Sequence, residues 1–420
     1  MKVKNLCINI ARLKTDIEEL GKFGKNAKGG LDRTTFTPSE LEAREWLKER
    51  LHKLKLAIRI DQAANIWAKR PGQEATLPSI SFGSHIDTVP NGGKYDGALG
   101  VLIALEVMRV LEESHISTRH PLELVSFSAE EPNPFGLSTF GSRAISGKLK
   151  KSDITNVTDS EGTRLVDALR SAGGDPENFE KAVRNPAELS AFLEVHIEQG
   201  KRLLNRSIPV GVVTAITGIY REKISVYGEA NHAGTTLMED RKDALTAASE
   251  IILSLERVSS AHPSNEVVGT IGKVDVSPNA PNIIPEKIEM ILEIRGKSSS
   301  EIYEVLKKFD TDLIKIRESR PVQIKRKVIL DQTPAPMNEL VVKTIQDCAE
   351  SLNYPSYSLG SMAGHDATHM ASLTKSGMLF VPSLDGKSHC PEEESRLEDI
   401  EKVANVLLHT ILSLDQKLDV

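Results

Sequence analysis

At 420 residues the chain is longer than one ordinary core, so two domains are expected, or one domain carrying a large insertion. Hydrophobic residues at 39% and charged residues at 27% exclude disordered and fibrous classes, and a formal net charge of -6 gives no Lys/Arg surplus for a polyanion, which argues against nucleic acid as a partner. Cys7, Cys348 and Cys390 are too few and too scattered for a disulfide framework or a thiolate zinc site. No apolar run approaches the roughly 20 residues of a membrane helix, and the first residues become charged too early for a signal peptide, so a cytoplasmic protein without membrane contact is expected.

In chain order, Leu6, Ile10, Leu13, Ile17 and Leu20 have helical spacing, and a second helix follows Thr37-Pro38-Ser39-Glu40. Strands are expected at 56–60, 78–84, 122–128 and 191–198, with helices at 98–113 and 139–150 between them. That alternation predicts a largely parallel sheet covered on both faces. After Pro209, alternating strands at 223–228, 267–276 and 286–296 mix with helices at 243–258 and 300–319, an α+β pattern with its own small core. A helix at 339–352, a strand at 378–381 and a helix at 398–415 return to the first pattern. The expected fold is therefore α/β, with one domain built from 1–206 and 326–420 and a smaller α+β domain inserted at 207–325.

In such a sheet the ligand site lies beyond the carboxyl ends of the strands, and four segments place polar residues there: 83–100, 127–136, 193–200 and 383–394. His85 and Asp87 are two apart at a strand end and point the same way, which lets Asp87 accept from the imidazole nitrogen not used for a ligand. Asp96 sits in a Gly-rich loop, where a carboxylate is able to approach two ions. Adjacent Glu130 and Glu131 repel unless one binds a cation or holds a proton, which divides them into a ligand and a general base. His196, alone, reads as a hydrogen-bonded core histidine, and His389, alone on a loop, signifies nothing. Together, three histidines and two carboxylates at four strand ends fit a pair of divalent ions bridged by one Asp. Nitrogen and oxygen ligands without thiolate suit zinc, with manganese or cobalt as alternatives.

At these segments the chain resembles the M20-type metallohydrolases, in the branch of N-carbamoyl-L-amino acid hydrolases, allantoate amidohydrolases and β-ureidopropionases. The similarity runs nearly end to end, through GGLDRTTFTPSELEAREWL (29–47), GSHIDTVPNGGKYDGALGV, LEVHIEQG, GEANHAGTT (228–236), PNAPNIIPEKIEMILEIRG (278–296), GHDA (364–367) and SHCPEEES. GSHIDTV with YDGALG is typical of the superfamily, and HIEQG with GEANHAGTT marks the branch. The resemblance implies that His85 and His196 hold one ion, Glu131 and His389 the other, and that Asp96 bridges them, with Glu130 as base. It implies further that His232 and Asn282 polarise or orient the scissile group, that Arg295 pairs with a substrate carboxylate, and that Gln199 lines the same pocket. Arg295 agrees with its strand: Ile288, Met290, Leu292 and Ile294 share one face, so the guanidinium projects from the other. One departure is Pro132-Asn133-Pro134-Phe135-Gly136 after the paired glutamates, where many branch members carry Gly and an Arg-Phe pair.

The resemblance implies an enzyme: a water shared by two ions attacks the carbamoyl carbon of an N-carbamoyl-L-amino acid, Glu130 takes its proton, and the inserted domain closes over a carboxylate-bearing ureido substrate. Allantoate is the second expected substrate and an aminoacylase or dipeptidase activity the third. The resemblance also implies a homodimer formed through the inserted domain, which then acts as lid and dimerisation element. A metal-binding module without turnover is the competing class, and the presence of Glu130 argues against it because binding alone needs no base. A phosphoesterase is disfavoured by the lack of a phosphate-binding loop.

Overall fold

Asn9 accepts from the amide of Arg12 and so caps α1 (Ile10–Leu20), which turns Leu13, Ile17 and Leu20 inward. Helix α2 (Pro38–Lys53) starts on a proline, whose missing N–H would have had no intrahelical partner there. There follow β1 (Ala57–Ile60), β2 (Ile66–Arg70), β3 (Ser79–His85), α3 (Ala98–Glu113) and β4 (Leu122–Phe127). The short helices α4 (Phe140–Ile145), α5 (Lys151–Ile154) and α6 (Leu165–Ser171) lead to β5 (Leu189–Ile197) and β6 (Val210–Ile216). Next come β7 (Gly218–Tyr227), α7 (Ala244–Ser260), β8 (Val268–Ser277), β9 (Lys287–Gly296), α8 (Ser299–Ser319) and β10 (Gln323–Gln332). The chain closes with β11 (Ala335–Pro336), α9 (Glu339–Ser351), β12 (Ser356–Ser361), α10 (Ala367–Met370), β13 (Lys375–Val381) and α11 (Leu397–Lys417). These elements come from a computed structural model that describes residues 6–418.

Two compact units result. The first comprises the chain up to Thr214, Pro336–Leu359 and the part from Ala363 onward. Its sheet has the order β1-β2-β4-β3-β5-β13-β6-β11, with β12 paired to β6. The central strands β4, β3, β5 and β13 are mutually parallel, whereas β1, β2 and β6 pair antiparallel at the margins. Helices α1, α3, α9 and α11 cover one face, and α4 and α10 lie against the other. The central strands are buried on both sides and so read as continuous apolar runs, β3 and β4 without one exposed residue. Helix α3 is hydrophobic nearly all round because α1 and α11 pack against it from outside.

The second unit is Ala215–Ala335 with Gly360–Met362. Its antiparallel sheet has the order β10-β7-β9-β8, and α7 and α8 pack on one face around Ile224, Ile251, Leu292 and Phe309. Alternate residues of β9 are buried, as its sequence requires.

Five strands escape the sequence pattern: β2, β6, β10, the two-residue β11 and β12. Strand β10 (QIKRKVILDQ) is charged and mostly exposed, so burial never wrote an apolar period into it. These strands also move the unit boundaries from 207–325. Strand β6 pairs with β13 and keeps the chain in the first sheet as far as Thr214, and β10 pairs with β7 along its length and keeps the second unit going to Ala335. The helix expected over 139–150 stops at Ile145, and a separate turn restarts where Asp153 accepts from the Lys150 amide.

Candidate metal centre

The four mutually parallel strands carry the chemistry, and being parallel they bring their carboxyl ends to one edge of the sheet. His85 is the last residue of β3, and His196 is the penultimate residue of β5. Glu130 and Glu131 follow β4 after a turn in which Ala129 takes a φ of 52°, and His389 follows β13 with a φ of 58°. Asp96 stands in the loop between β3 and α3. His85, Asp96 and His196 form one group and Asp96, Glu131 and His389 another, the donor atoms of each lying within 4.8 Å of one another.

Asp96 is common to both groups, one oxygen to each. Its Oδ1 lies 3.0 Å from His196 Nε2 and 3.7 Å from His85 Nε2, and its Oδ2 lies 3.5 Å from His389 Nε2. His389 Nε2 is also 3.3 Å from Glu131 Oε1. Gly97, with a φ of 61°, lets the loop pass over His85: a Cβ there would fall 2.1 Å from His85 Nε2.

The remaining imidazole nitrogens are fixed by the backbone. His196 Nδ1 lies 2.9 Å from the Ile197 carbonyl and His85 Nδ1 lies 3.1 Å from that of Asp87, which turns both Nε2 atoms toward the centre, where that of His196 accepts from the Gly97 amide at 3.2 Å. Asp87 was expected to take the His85 proton on its carboxylate. Its Oδ1 stands slightly farther away, at 3.4 Å, because this carboxylate also ties down the end of β4. It accepts from the amides of Glu130 and Glu131 at 3.3 and 3.2 Å and from Thr35 Oγ1 at 2.8 Å.

Burial pushes the carboxyls of Glu130 and Glu131 up. It would do the same to Asp96, but the imidazoles of His196 and His389 hold that group well below the usual range. Hydrogen bonds to Asp96 and Glu131 raise His389 to about 11. The carboxylates thus draw positive charge onto this spot, and a divalent cation supplies such charge in kind. Buried His85 Nε2 has no hydrogen-bond partner. An orphaned donor atom in an all-nitrogen and oxygen set fits a metal centre.

Gln199, expected to line the substrate pocket, donates from Nε2 to Asp96 Oδ2 at 2.7 Å and to Ser388 Oγ at 3.1 Å. His232, Asn282 and Arg295 belong to the second unit. His232 is exposed, its Nδ1 accepting from the amides of Gly234 and Thr235 at 3.0 and 3.2 Å. The Asn282 carbonyl accepts from Ala233 at 3.0 Å and ties these two segments together. Arg295 does project from the polar face of β9, where Nε reaches Glu293 at 2.7 Å and Nη1 the Met362 carbonyl at 2.8 Å.

His365 was overlooked. Its ring lies 4.4 Å from that of His196, centroid to centroid, and is buried beside Phe380. Its neighbour Asp366 accepts from Ser142, and buried Glu194 accepts from Ser84 Oγ and the Ala367 amide, both at 2.8 Å. The signal was present in GHDA (364–367), a polar cluster with no turn to explain it.

The description of peptidase family M20/M25/M40 matches residues 81–413. Over 405 residues the chain is 36% identical to the N-carbamoyl-L-amino acid amidohydrolase of Geobacillus stearothermophilus, covering 96% of this chain and 98% of that one. It is 34% identical to the allantoate amidohydrolase of Bacillus subtilis, covering 92% and 93%. The crystal structure of an amidase of the hydantoinase/carbamoylase family from Burkholderia multivorans is similar with a TM-score of 0.90 at 30% identity, covering 97% and 98% of the two chains. With the match running through every segment that bears a ligand candidate, the chain belongs to peptidase family M20/M25/M40.

Proposed function

We propose that this hydrolase cleaves the carbamoyl C–N bond of N-carbamoyl-L-amino acids, giving the free amino acid, ammonia and carbon dioxide. The observation that carries the proposal is the pair of donor groups sharing Asp96, with Glu130 Oε2 standing 3.6 Å from His85 Nε2 beside them. In the proposal His85 and His196 would hold one divalent ion and Glu131 and His389 the other, with Asp96 contributing one oxygen to each group. Zinc is the first choice and manganese or cobalt the alternatives. Bound there, divalent ions would supply Lewis acidity for activating water and polarising a carbonyl.

The chain's own residues do the rest. Glu130 accepts a proton at its carboxylate from the attacking water and returns it to the leaving nitrogen. Asp87 holds the amides of both glutamates, so the base and its neighbouring ligand move as one piece. From the second unit, His232 stabilises the developing oxyanion, Asn282 orients the scissile group and Arg295 pairs with the substrate carboxylate. Gln199 completes the pocket while steadying Asp96. Exposed Leu253 and Ile314 on α7 and α8 support assembly of two copies through this unit. The three cysteines are free, as in a reducing compartment, and the proposal places the enzyme in the cytoplasm.

Allantoate is the second reading, favoured by the 34% identity to the Bacillus subtilis enzyme. It too presents a carboxylate beside ureido groups. Incubating the metal-loaded protein with N-carbamoyl-L-amino acids, allantoate and dipeptides while measuring ammonia separates them. Peptide cleavage without ammonia would end both ureido readings.

A further inference from the structure

The loop that carries His389 also grips the loop that carries Asp96. Glu393 is 3% exposed, and its Oε1 accepts from the amides of Tyr95 and Asp96, each at 2.9 Å. Its Oε2 lies 3.2 Å from Ser388 Oγ, and that hydroxyl lies 2.6 Å from Asp96 Oδ2. Glu393 therefore holds Asp96 by its backbone directly, and its Oε2 packs against the hydroxyl whose single proton goes to Asp96 Oδ2. The fit is close: a Cβ at Gly93 would fall 2.2 Å from Glu393 Oε1. The Glu393 amide bonds to the Cys390 carbonyl and the Leu384 amide to the Glu394 carbonyl, which closes the loop around His389.

Orientation matters here because the two oxygens of Asp96 face different partners, Oδ1 toward His85 and His196, Oδ2 toward His389. A twist of that carboxylate would spoil both groups at once. We propose that Glu393, acting with Ser388, is a positioning residue of the dinuclear centre that sets the aim of Asp96 and couples it to His389. This inference rests on the metal-centre reading above.

Glu393→Ala leaves two buried amides without an acceptor and releases the Asp96 loop. Glu393→Gln keeps an oxygen for both amides and offers an N–H to Ser388, whose hydroxyl still donates to Asp96. The test uses the full-length protein stripped with chelator and titrated with Co²⁺, read by its electronic spectrum, and with Zn²⁺, read by competition with a chromophoric chelator. Wild type is expected to take up two ions. E393A should bind at least one of them about 10- to 100-fold more weakly with an altered Co²⁺ spectrum, and E393Q should recover most of the loss. E393A with wild-type stoichiometry, affinity and spectrum would overturn the inference. Wild type binding neither ion would instead overturn the metal-centre reading and this inference with it. Circular dichroism of the stripped proteins checks folding. If E393A does not fold, S388A, which removes only the hydroxyl, decides in its place: a changed spectrum supports the coupling and an unchanged one refutes it.

Discussion

Glu130 Oε2 lies 3.6 Å from His85 Nε2, so the carboxylate assigned as base touches a ligand candidate while belonging to neither donor group. Replacing it should separate chemistry from metal binding. Glu130→Gln is expected to lower the rate of ammonia release by about 10²- to 10⁴-fold with the bound metal unchanged. An unaltered rate would remove Glu130 as the base.

Exhaustive chelation should abolish hydrolysis, and adding back zinc, manganese or cobalt should restore it. Binding to the folded state alone also adds stability, about 2.7 kcal/mol at a hundredfold excess over Kd. A thermal melt of stripped and reloaded protein checks this, and identical curves would speak against a centre built into the fold.

The contact between Gly97 and His85 gives a sharper structural test. Gly97→Ala puts a methyl group 2.1 Å from His85 Nε2 at a φ of 61°. We expect a loss of about 1–3 kcal/mol in stability together with loss of an ion from the His85 group, measured by denaturant unfolding and metal analysis. Full metal occupancy in this variant would mean that the loop moves aside.

Arg295 is assigned to the substrate carboxylate, and Arg295→Ala should cost about 2–4 kcal/mol in kcat/KM, on the order of 30- to 1000-fold. The effect should vanish for a substrate whose carboxylate is replaced by an amide. Equal loss for both substrates would assign the residue to holding Glu293 and the Met362 carbonyl within its own unit.

Away from the centre, burial holds His369 down to about 3, with Lys148 and Arg143 adding to the effect. An unfolded histidine titrates near 6.5, so below that pH the unfolded chain takes up a proton that the folded one refuses. The contribution of this group to stability is thus complete above pH 6.5 and is lost as pH falls toward 3, by about 1.4 kcal/mol per pH unit. His369→Gln should accordingly lose less stability than wild type between pH 7 and pH 5, by about 2 kcal/mol in urea unfolding. Parallel losses would show that the proton finds its way in.

The parts of the site legible in the sequence are those that burial and strand direction impose together. Strands β3, β4, β5 and β13 are sealed on both faces and hence apolar, so the polar residues ending them stand out against their background. His85, Glu130, Glu131 and His196 stand out in this way, whereas His389, on an exposed loop after β13, drew its assignment from the resemblance alone. His365 does not stand out, because it precedes the short helix α10 rather than ending a strand. Glu393 escaped notice because its two amide partners, Tyr95 and Asp96, lie near the other end of the sequence. Strand β10 was hidden for the opposite reason: exposure leaves no period to read.

Strand β5 is flanked by β3 on one side and β13 on the other, and β13 lies beyond the whole second unit in the chain. On the ribosome, then, β5 has to wait with one row of backbone amides and carbonyls bare while nearly two hundred further residues are made, from Ile197 to Lys375. The nascent protein owns the complete His85, Asp96 and His196 trio throughout that interval, whereas the other trio is complete only once the loop after β13 has been made.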